Sequence, residues 1–570
     1  MIQRTTLFAI VSAICASSAC APPAPVAREV PPCTRPTPEP RTQDTSCTLA
    51  LIPEPDAHLS VRLACALDGA QTFSIARAHG DIDGLSARDD GGPLAASVSP
   101  ETANQTSTVR LGRPARGRLE LSFRVRASSD PRGPLAELVV AEDRARGLLR
   151  SCTPVPSRPH DAPREISLVV DGSRIAAEGA LTTLGVGRTR TRTTTFEALA
   201  YGMFVAGSLG TATFRDAGDR DEVAWLGYTA FDPRPAAAEI AQVRTALRET
   251  WKGGGAEGHA LAFVSSARPE GHVALLELPG ATLVHLGPSE PWGFALRTRI
   301  ALALQRPWLG GRLAVRSDDG ADGTWFDEGL ARFTAVRLLS RLGLVAPRDV
   351  ATWLGGLFAA HALSPFKDRR HTELLAARAS VPEARAELAT RGALHAFAVY
   401  GAYRRAHPGK TFDDELRPLV TAAIDGKKAR FVTETEWQAL LGRALGRETS
   451  FDVVALGKEP PVPDDALGPC FRKSAGAVFR ERLGFDLDAT LDAADRRLVG
   501  LEPGGAAFMG GAREGDVLVE ASRTGETYRL VLESAGTKRT SIVRPNRQAA
   551  RATTFVREPK VPDTACGELL

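Results

Sequence analysis

The hydrophobic pattern of this 570-residue chain changes its period near residue 215, and that change divides the chain into regions. From about Cys47 to Thr213, apolar residues alternate with polar or small ones, as in residues 59–65 and 119–125. A period of two is typical of half-buried strands. We therefore expect a β-sandwich-like domain over residues 47–215.

Helical periodicity dominates residues 216–455. Strands are predicted at 259–265, 272–278 and 281–286. Helices are predicted at 236–251, 294–305, 326–342, 350–362, 381–406 and 413–424. A small sheet packed by helices is an α+β arrangement, so we expect an α+β domain rich in helices.

The remaining sequence predicts a third domain behind a linker. Residues 456–468 contain three prolines and are interpreted as the linker. Short strands around glycine-rich turns are predicted over residues 469–550, and residues 551–570 are expected to form a C-terminal tail.

The N-terminus has the features of an export signal. Arg4 supplies a positive charge, and the apolar run at residues 7–16 is too short to span a bilayer as a stable anchor. Ser17-Ser18-Ala19-Cys20 resembles the lipobox of bacterial lipoproteins, in which Cys20 would be acylated. Ordinary cleavage after Ala19 or Ala21 is the alternative.

These features predict a protein of the bacterial cell envelope. Residues 1–20 would be the signal peptide, and the proline-rich residues 21–46 would form an extended tether. We expect a lipoprotein that faces the periplasm or the cell surface. Its lipid anchor would be its sole contact with the membrane.

Export would place the cysteines in an oxidising compartment, where an even number favours disulfides. Beyond Cys15 and Cys20, the chain has Cys33, Cys47, Cys65, Cys152, Cys470 and Cys566. Spacing alone leaves their pairing open. Because Cys470 and Cys566 bracket the last domain, they are the pair that we favour.

Two tryptophan motifs in the α+β region point to a known family. Trp308-Leu309-Gly310-Gly311 follows one apolar helix, and Trp325-Phe326-Asp327-Glu328-Gly329 opens another. With the C-terminal motifs below, their order resembles the glycyl aminopeptidase family of gluzincin zinc metallopeptidases. The resemblance implies an N-terminal β domain, a thermolysin-like catalytic domain and a C-terminal PDZ domain.

The zinc ligands of that family are missing from the corresponding positions. The chemistry needs two histidines in H-E-x-x-H, with the glutamate as general base, and a third ligand from the next helix. Counting back from Trp308 gives Leu302 and Arg306 as the ligand positions and Ala303 as the base position. Alkyl groups and a guanidinium cannot ligate zinc, and the chain has no H-E-x-x-H anywhere. We therefore predict that zinc and catalysis are lost and that no cofactor is bound.

Glu328 matches the position of the third ligand. Thr324 and Asp327 resemble a capping box at the start of this helix, so a structural role for Glu328 is favoured over metal binding. We also predict that Arg306 occupies the place of the zinc and pairs with Glu328.

Two further family features are predicted to be absent. The edge-strand segment Leu278-Pro279-Gly280-Ala281-Thr282 has no acid for the substrate amine, and Ala389 stands where the family has its oxyanion tyrosine. The nearby Tyr400 and Tyr403 are interpreted as core residues. His361 and His371 are interpreted as surface or core histidines.

The C-terminal domain carries the positive signal for function. Arg482-Leu483-Gly484-Phe485 resembles the carboxylate-binding loop of PDZ domains, and Gly515-Asp516 resembles their turn into an internal strand. In such a loop, the N–H groups of Leu483, Gly484 and Phe485 would hold a C-terminal carboxylate while the peptide adds as a strand. The alternative is that the domain packs on its neighbour and binds nothing.

These observations favour a catalytically inactive relative of the aminopeptidases that binds the C-terminus of a peptide or protein through its PDZ-like domain. One alternative is an active metallopeptidase with non-standard ligands, such as His272 or His285 with Glu328. Another is a structural spacer of the envelope. A net charge of +4 without a run of Lys and Arg gives no support for nucleic-acid binding.

Overall fold

The computed structural model describes residues 46–562 except 77–81, 102–105, 130–137, 217–218, 228–229, 253–257, 318–322, 427–428, 447–450 and 494. The predicted signal peptide, Cys20 and residues 21–45 of the tether lie outside the described residues. So do Cys566 and residues 563–570 of the tail. In the described part of the chain, no helix is both long and apolar enough to span a membrane.

Alternating strands build the N-terminal region. Its strands and one short helix are β1 (Cys47–Glu54), β2 (His58–Ala66), β3 (Thr72–Ala76), β4 (Ile82–Asp89), β5 (Gly92–Leu94), β6 (Ala96–Glu101), β7 (Thr106–Leu111), β8 (Arg118–Arg126), β9 (Val139–Val140), β10 (Ala145–Leu148), β11 (Val155–Pro156), β12 (Arg164–Val170), β13 (Gly179–Thr182), β14 (Gly185–Val186), β15 (Thr189–Thr194), α1 (Phe196–Ala200) and β16 (Met203–Gly207). They form three sheets, with strand orders β15-β12-β1-β2-β8-β4-β5, β11-β3-β7-β6 and β14-β13-β16-β10-β9.

The predicted alternation in β2 and β8 is confirmed. The two strands pair antiparallel, with Leu59 opposite Val125 and Val61 opposite Phe123, and all four side chains are buried. Burying each such side chain contributes about 1.5–3 kcal/mol, which fixes the register of the pair. Cys47 forms a disulfide with Cys65 on the adjacent strand, and Cys152 is a buried free thiol.

A five-stranded sheet begins the second region, in the order β17-β18-β19-β21-β20. Its elements are β17 (Gly210–Asp216), β18 (Asp219–Leu226), α2 (Pro233–Trp251), β19 (Ala260–Ser265), β20 (Ala274–Leu278) and β21 (Ala281–Leu286). β18, β19 and β21 run parallel, whereas the edge strand β20 is antiparallel to β21. Asp232 accepts a hydrogen bond from the Arg234 N–H and caps α2.

Helices cover the rest of this region. The elements are α3 (Phe294–Gln305), β22 (Leu313–Arg316), a π-helical segment (Trp325–Leu330), α4 (Ala331–Arg341), α5 (Pro347–Ala362), α6 (His371–Ala377), α7 (Pro382–Ala406), α8 (Asp413–Asp425), β23 (Arg430–Thr433), α9 (Glu434–Leu445) and α10 (Asp452–Leu456). Every predicted strand and helix of this region is confirmed within a few residues of its ends. The structure adds α6, α9, α10, β18, β22 and β23, which we did not predict, and it places β17, from the end of the predicted β domain, in this sheet.

Two glycines let the π-helical segment approach α7 closely. A Cβ on Gly392 would lie 1.7 Å from the Trp325 carbonyl oxygen, and a Cβ on Gly329 would lie 2.3 Å from that of Ala389. Only residues without a Cβ fit such a crossing. This contact fixes the segment that carries Glu328.

The C-terminal region contains a long ribbon and a small sheet. Its elements are β24 (Phe471–Arg482), α11 (Leu487–Asp492), α12 (Ala506–Met509), β25 (Val517–Thr524), β26 (Thr527–Ser534), β27 (Thr537–Val543) and β28 (Asn546–Arg557). β24 pairs antiparallel with β28 along its whole length, and β25, β26 and β27 form the sheet. Cys470 is disulfide-bonded, while its predicted partner lies outside the described residues.

This region packs against the helices and against the loop before β20. The Phe555 ring on β28 contacts Phe358 and Phe397 of α5 and α7. Asp488 and Asp492 of α11 pair with His272 (2.9 Å, Nδ1 to Oδ1) and Arg268. The packing that we considered as the alternative to binding therefore occurs.

Candidate functional site

The end of α3 brings Arg306 beside Glu328. Leu302 and Ala303 lie in the last turn of α3 and are buried, and Arg306 follows directly as the C-cap residue. Arg306 Nη2 lies 4.0 Å from Glu328 Oε1. The predicted pairing is thus present, at the outer limit of an ion pair.

Arg306 makes its closer contact with a residue that we did not predict. Its Nη1 donates to Glu277 Oε2 at 2.8 Å. Glu277 lies on the edge strand β20, one residue before the segment 278–282, which contains no acid. The prediction that this strand offers no acid to the site is therefore wrong. Burial raises the pKa of Glu277. The negative charge of Glu328 raises it further, whereas the positive charge of Arg306 lowers it.

Glu328 has its own arginine partner. Arg385 of α7 donates to Glu328 Oε1, with its Nε at 3.0 Å. Glu328 is largely buried, whereas Arg385 is mostly exposed. Both carboxylates of the site are therefore engaged by guanidinium groups.

The capping box that we predicted around Glu328 is not formed. Thr324 has helical backbone angles and its side chain caps no N–H. The N–H groups of Phe326 and Asp327 donate instead to the carbonyl oxygen of Gly323. Asp327 accepts from Arg316 Nη1 at 2.8 Å. A π-helical turn begins here because Gly329 is drawn against α7, and tertiary packing overrides the capping preference.

The donor set does not fit zinc. A tetrahedral site needs three or four lone-pair donors around one point, whereas the partners of Glu328 here are Arg306 and Arg385, and Leu302 carries only an alkyl group. Within the described ranges, no group of three His, Cys, Asp or Glu side chains is placed to hold a metal. The guanidinium of Arg306 puts a permanent positive charge where a cation would have to bind.

The alternative histidine ligands lie elsewhere. His285 is buried within β21, and its pKa is lowered well below the ordinary value by burial and by Arg146 and Arg268. His272 pairs with Asp488 of the C-terminal region. The structure does not bring them to Glu328, so this alternative set is wrong.

The core interpretation of the two tyrosines is confirmed. Tyr400 donates to Asp413 Oδ1 at 2.5 Å and Tyr403 donates to Glu415 Oε1 at 2.8 Å, and both side chains are buried. Burial and the Glu415 hydrogen bond raise the pKa of Tyr403 to about 12. Ala389 is buried at the crossing of α7 with the π-helical segment.

His361 and His371 are buried core residues. His361 Nδ1 lies 2.7 Å from Glu387 Oε1, and its Nε2 lies 2.8 Å from the Gly457 carbonyl. His371 Nε2 lies 2.9 Å from Glu434 Oε1. Each histidine has a carboxylate partner that spacing along the sequence did not reveal.

The loop of Leu483, Gly484 and Phe485 offers free backbone donors. Gly484 has φ +83°, and a Cβ there would lie 2.8 Å from the Gly505 Cα. The Leu483 and Gly484 carbonyls accept from the N–H groups of Ala507 and Glu502. Among the described residues, the three loop N–H groups have no acceptor. α11 begins two residues after Phe485.

Comparison with known proteins supports the fold. No family model matches the chain, and no curated protein matches its sequence. An aminopeptidase N family protein from Idiomarina loihiensis has a similar solved structure, with TM-score 0.63 and 13% identity over 92% of this chain and 100% of that chain. The chain therefore has a multidomain mixed α/β fold like that of this aminopeptidase N family protein.

Two more distant structures are similar over less of the chain. An M1 zinc metallopeptidase from Deinococcus radiodurans aligns over 73% of this chain and 94% of its own, with 18% identity and TM-score 0.42. Yeast LTA4 hydrolase in complex with bestatin aligns over 76% of this chain and 73% of its own, with 12% identity and TM-score 0.44. The narrower resemblance to glycyl aminopeptidases, with a PDZ domain, stays a prediction.

Proposed function

We propose that this chain is a catalytically inactive relative of the zinc aminopeptidases that acts by binding peptides or proteins. The observation that carries the proposal is the contact of Arg306, which stands at a ligand position predicted from the sequence, with Glu277. Arginine keeps its charge at any accessible pH and has no lone pair to give to a metal. Ala303 likewise cannot act as a general base for water.

The proposal extends to the C-terminal domain and to the location of the protein. The free N–H groups of the Leu483-Gly484-Phe485 loop suit a peptide carboxylate, and we propose a peptide or protein C-terminus as the ligand. We further propose export to the cell envelope and a lipid anchor on Cys20. A pure spacer would keep the docked domains but would have no ligand that depends on this loop.

Restoring the motif tests the loss of zinc. In the triple variant Leu302→His, Ala303→Glu and Arg306→His, two imidazoles one turn apart would join Glu328. We expect wild-type protein to contain no stoichiometric zinc and the triple variant to bind about one zinc per chain, measured by atomic emission. Ala303→Glu alone is the control, and it should bind none.

One result would overturn the proposal. If purified wild-type protein contained stoichiometric zinc and cleaved peptides until a chelator was added, the chain would be an active metallopeptidase.

A further inference from the structure

Three arginines and two glutamates meet beside the edge strand β20. Arg306 follows α3, Arg332 lies one turn after Glu328 in α4, and Arg385 projects from α7. We call Arg306, Arg332 and Arg385 the arginine cluster. The three arginines carry three positive charges, and Glu277 and Glu328 carry two negative charges, so the group has a net charge of +1. Arg299, which is exposed on α3, adds positive potential to the arginine cluster.

The two carboxylates are already used. Glu277 accepts from Arg306 and Glu328 accepts from Arg385. Arg332 makes no hydrogen bond or ion pair with any residue that the structure describes. Arg299 donates to a neutral acceptor, the Val273 carbonyl oxygen. Among the described residues, the one counter-charge that acts on Arg332 is therefore Glu328, which Arg385 already engages.

The surroundings of Arg332 make that charge costly. The side chain of Arg332 is partly buried, and this burial lowers its pKa. Repulsion from Arg299 and Arg306 lowers the pKa further, whereas attraction to Glu328 raises it. A desolvated charge is stable only when a counter-charge or hydrogen-bond acceptors surround it. An anionic ligand would supply such a counter-charge, because a guanidinium group binds a carboxylate through two parallel hydrogen bonds.

The neighbouring strand β20 is an edge strand. β20 is the last strand of its sheet and pairs only with β21 among the described strands. An unpaired edge can accept a peptide as an added strand. Glu277 on that strand contacts Arg306, so a peptide along β20 would pass the arginine cluster.

We propose that the arginine cluster binds the carboxylate of an extended peptide that lies along β20. The Arg306–Glu277 pair leaves no free carboxylate there for the positively charged amine of a peptide. The site thereby selects for negative charge. This inference rests on the peptide-binding part of the proposed function and adds the chemistry of the ligand.

Capped peptides test the proposal by calorimetry on the whole protein. The probes are N-acetylated tetra-alanine with a free C-terminal acid, the same peptide amidated, amidated tetra-alanine with a free amine, and a capped, amidated tetrapeptide with one internal glutamate. We expect binding to at least one carboxylate peptide and at least tenfold weaker binding to both peptides that lack a carboxylate. The free-acid and glutamate probes separate a terminal carboxylate from an acidic side chain.

Matched variants locate the site. Arg332→Met should weaken binding of the carboxylate probe at least tenfold. Arg348→Met removes the same charge from the exposed start of α5 and should leave the affinity unchanged. The inference is overturned if the free-amine peptide binds as tightly, if Arg332→Met has no effect, or if no probe binds at millimolar concentration. Zinc-dependent cleavage of a probe would instead overturn the proposed function.

Discussion

At the scale of single residues, Arg306 shows how one side chain can redefine a site. The position that the sequence predicts to match a zinc ligand carries a guanidinium that joins two acidic residues from different elements. Sequence spacing was enough to predict the pair with Glu328. It missed Glu277, although Glu277 faces the helices because it alternates with Leu276 and Leu278, which pack on the other face of the sheet.

Two buried histidines make the stability of the folded protein depend on pH. Burial lowers the pKa of His259 and of His395 from 6.5 to about 3. Between pH 6.5 and 3 these histidines are protonated in the unfolded chain but neutral in the folded protein. The free energy of unfolding therefore falls as the pH drops from 6.5 towards 3. Each histidine contributes a slope of about 1.4 kcal/mol per pH unit in that window, and none above it.

His395→Phe should make this slope shallower by about that amount. Urea unfolding between pH 7 and 4.5, followed by tryptophan fluorescence, measures it, because Trp325 and Trp437 surround His395. Phe451→Leu alters the same cluster without removing a titrating group, so it should lower stability but keep the slope. An unchanged slope in His395→Phe would contradict the assignment.

At the scale of elements, the crossing of α7 with the π-helical segment decides where Glu328 and Arg385 lie. Two glycines permit the contact, and aromatic rings of Trp325, Phe326 and Trp437 pack around it. Most long periodic helices were predicted because their apolar faces repeat locally, although α9, of 12 residues, was missed. α6 and α10, of seven and five residues, and β22 and β23, of four each, are too short to show a period.

The close crossing predicts a large penalty for one methyl group. Gly392→Ala would place a Cβ 1.7 Å from the Trp325 carbonyl oxygen, so the helices must separate, at a cost of about 3 kcal/mol. Gly442→Ala in α9 is the matched control, since nothing lies within 4 Å of its Cβ. It should gain about 0.5–1 kcal/mol. Chemical denaturation compares the two, and equal effects would refute the tight crossing.

At the scale of the whole molecule, the C-terminal region is fastened to the central region by charge and by aromatic packing. Arg268 and His272 hold α11, while Phe555 packs on α5 and α7. The Leu483-Gly484-Phe485 loop stands just before α11, so a ligand on this loop would lie near the interface. Docking and ligand binding are therefore compatible roles of one domain.

Display of random peptide C-termini tests the loop. We expect selected peptides to require a free carboxylate and to bind Gly484→Ala at least tenfold more weakly, because its Cβ would lie 2.8 Å from the Gly505 Cα and disturb the loop. Gly525→Ala, also at positive φ but in open space at a hairpin turn, should bind normally. If no peptide is selected, or if Gly484→Ala binds equally, the region serves for packing alone.

The sequence by itself determined the kinds of element and their order, and it predicted that Leu302 and Arg306 offer no zinc ligand and that Ala303 offers no general base. These are local properties, since periodicity and side-chain chemistry need no knowledge of distant residues. Only the tertiary structure decided that Arg306 pairs with Glu277, that His272 lies at an interface, that His395 packs among aromatic rings, and that Arg332 has no hydrogen bond among the described residues. Those outcomes depend on contacts between residues far apart in the chain, where packing sets both the dielectric environment and the available partners.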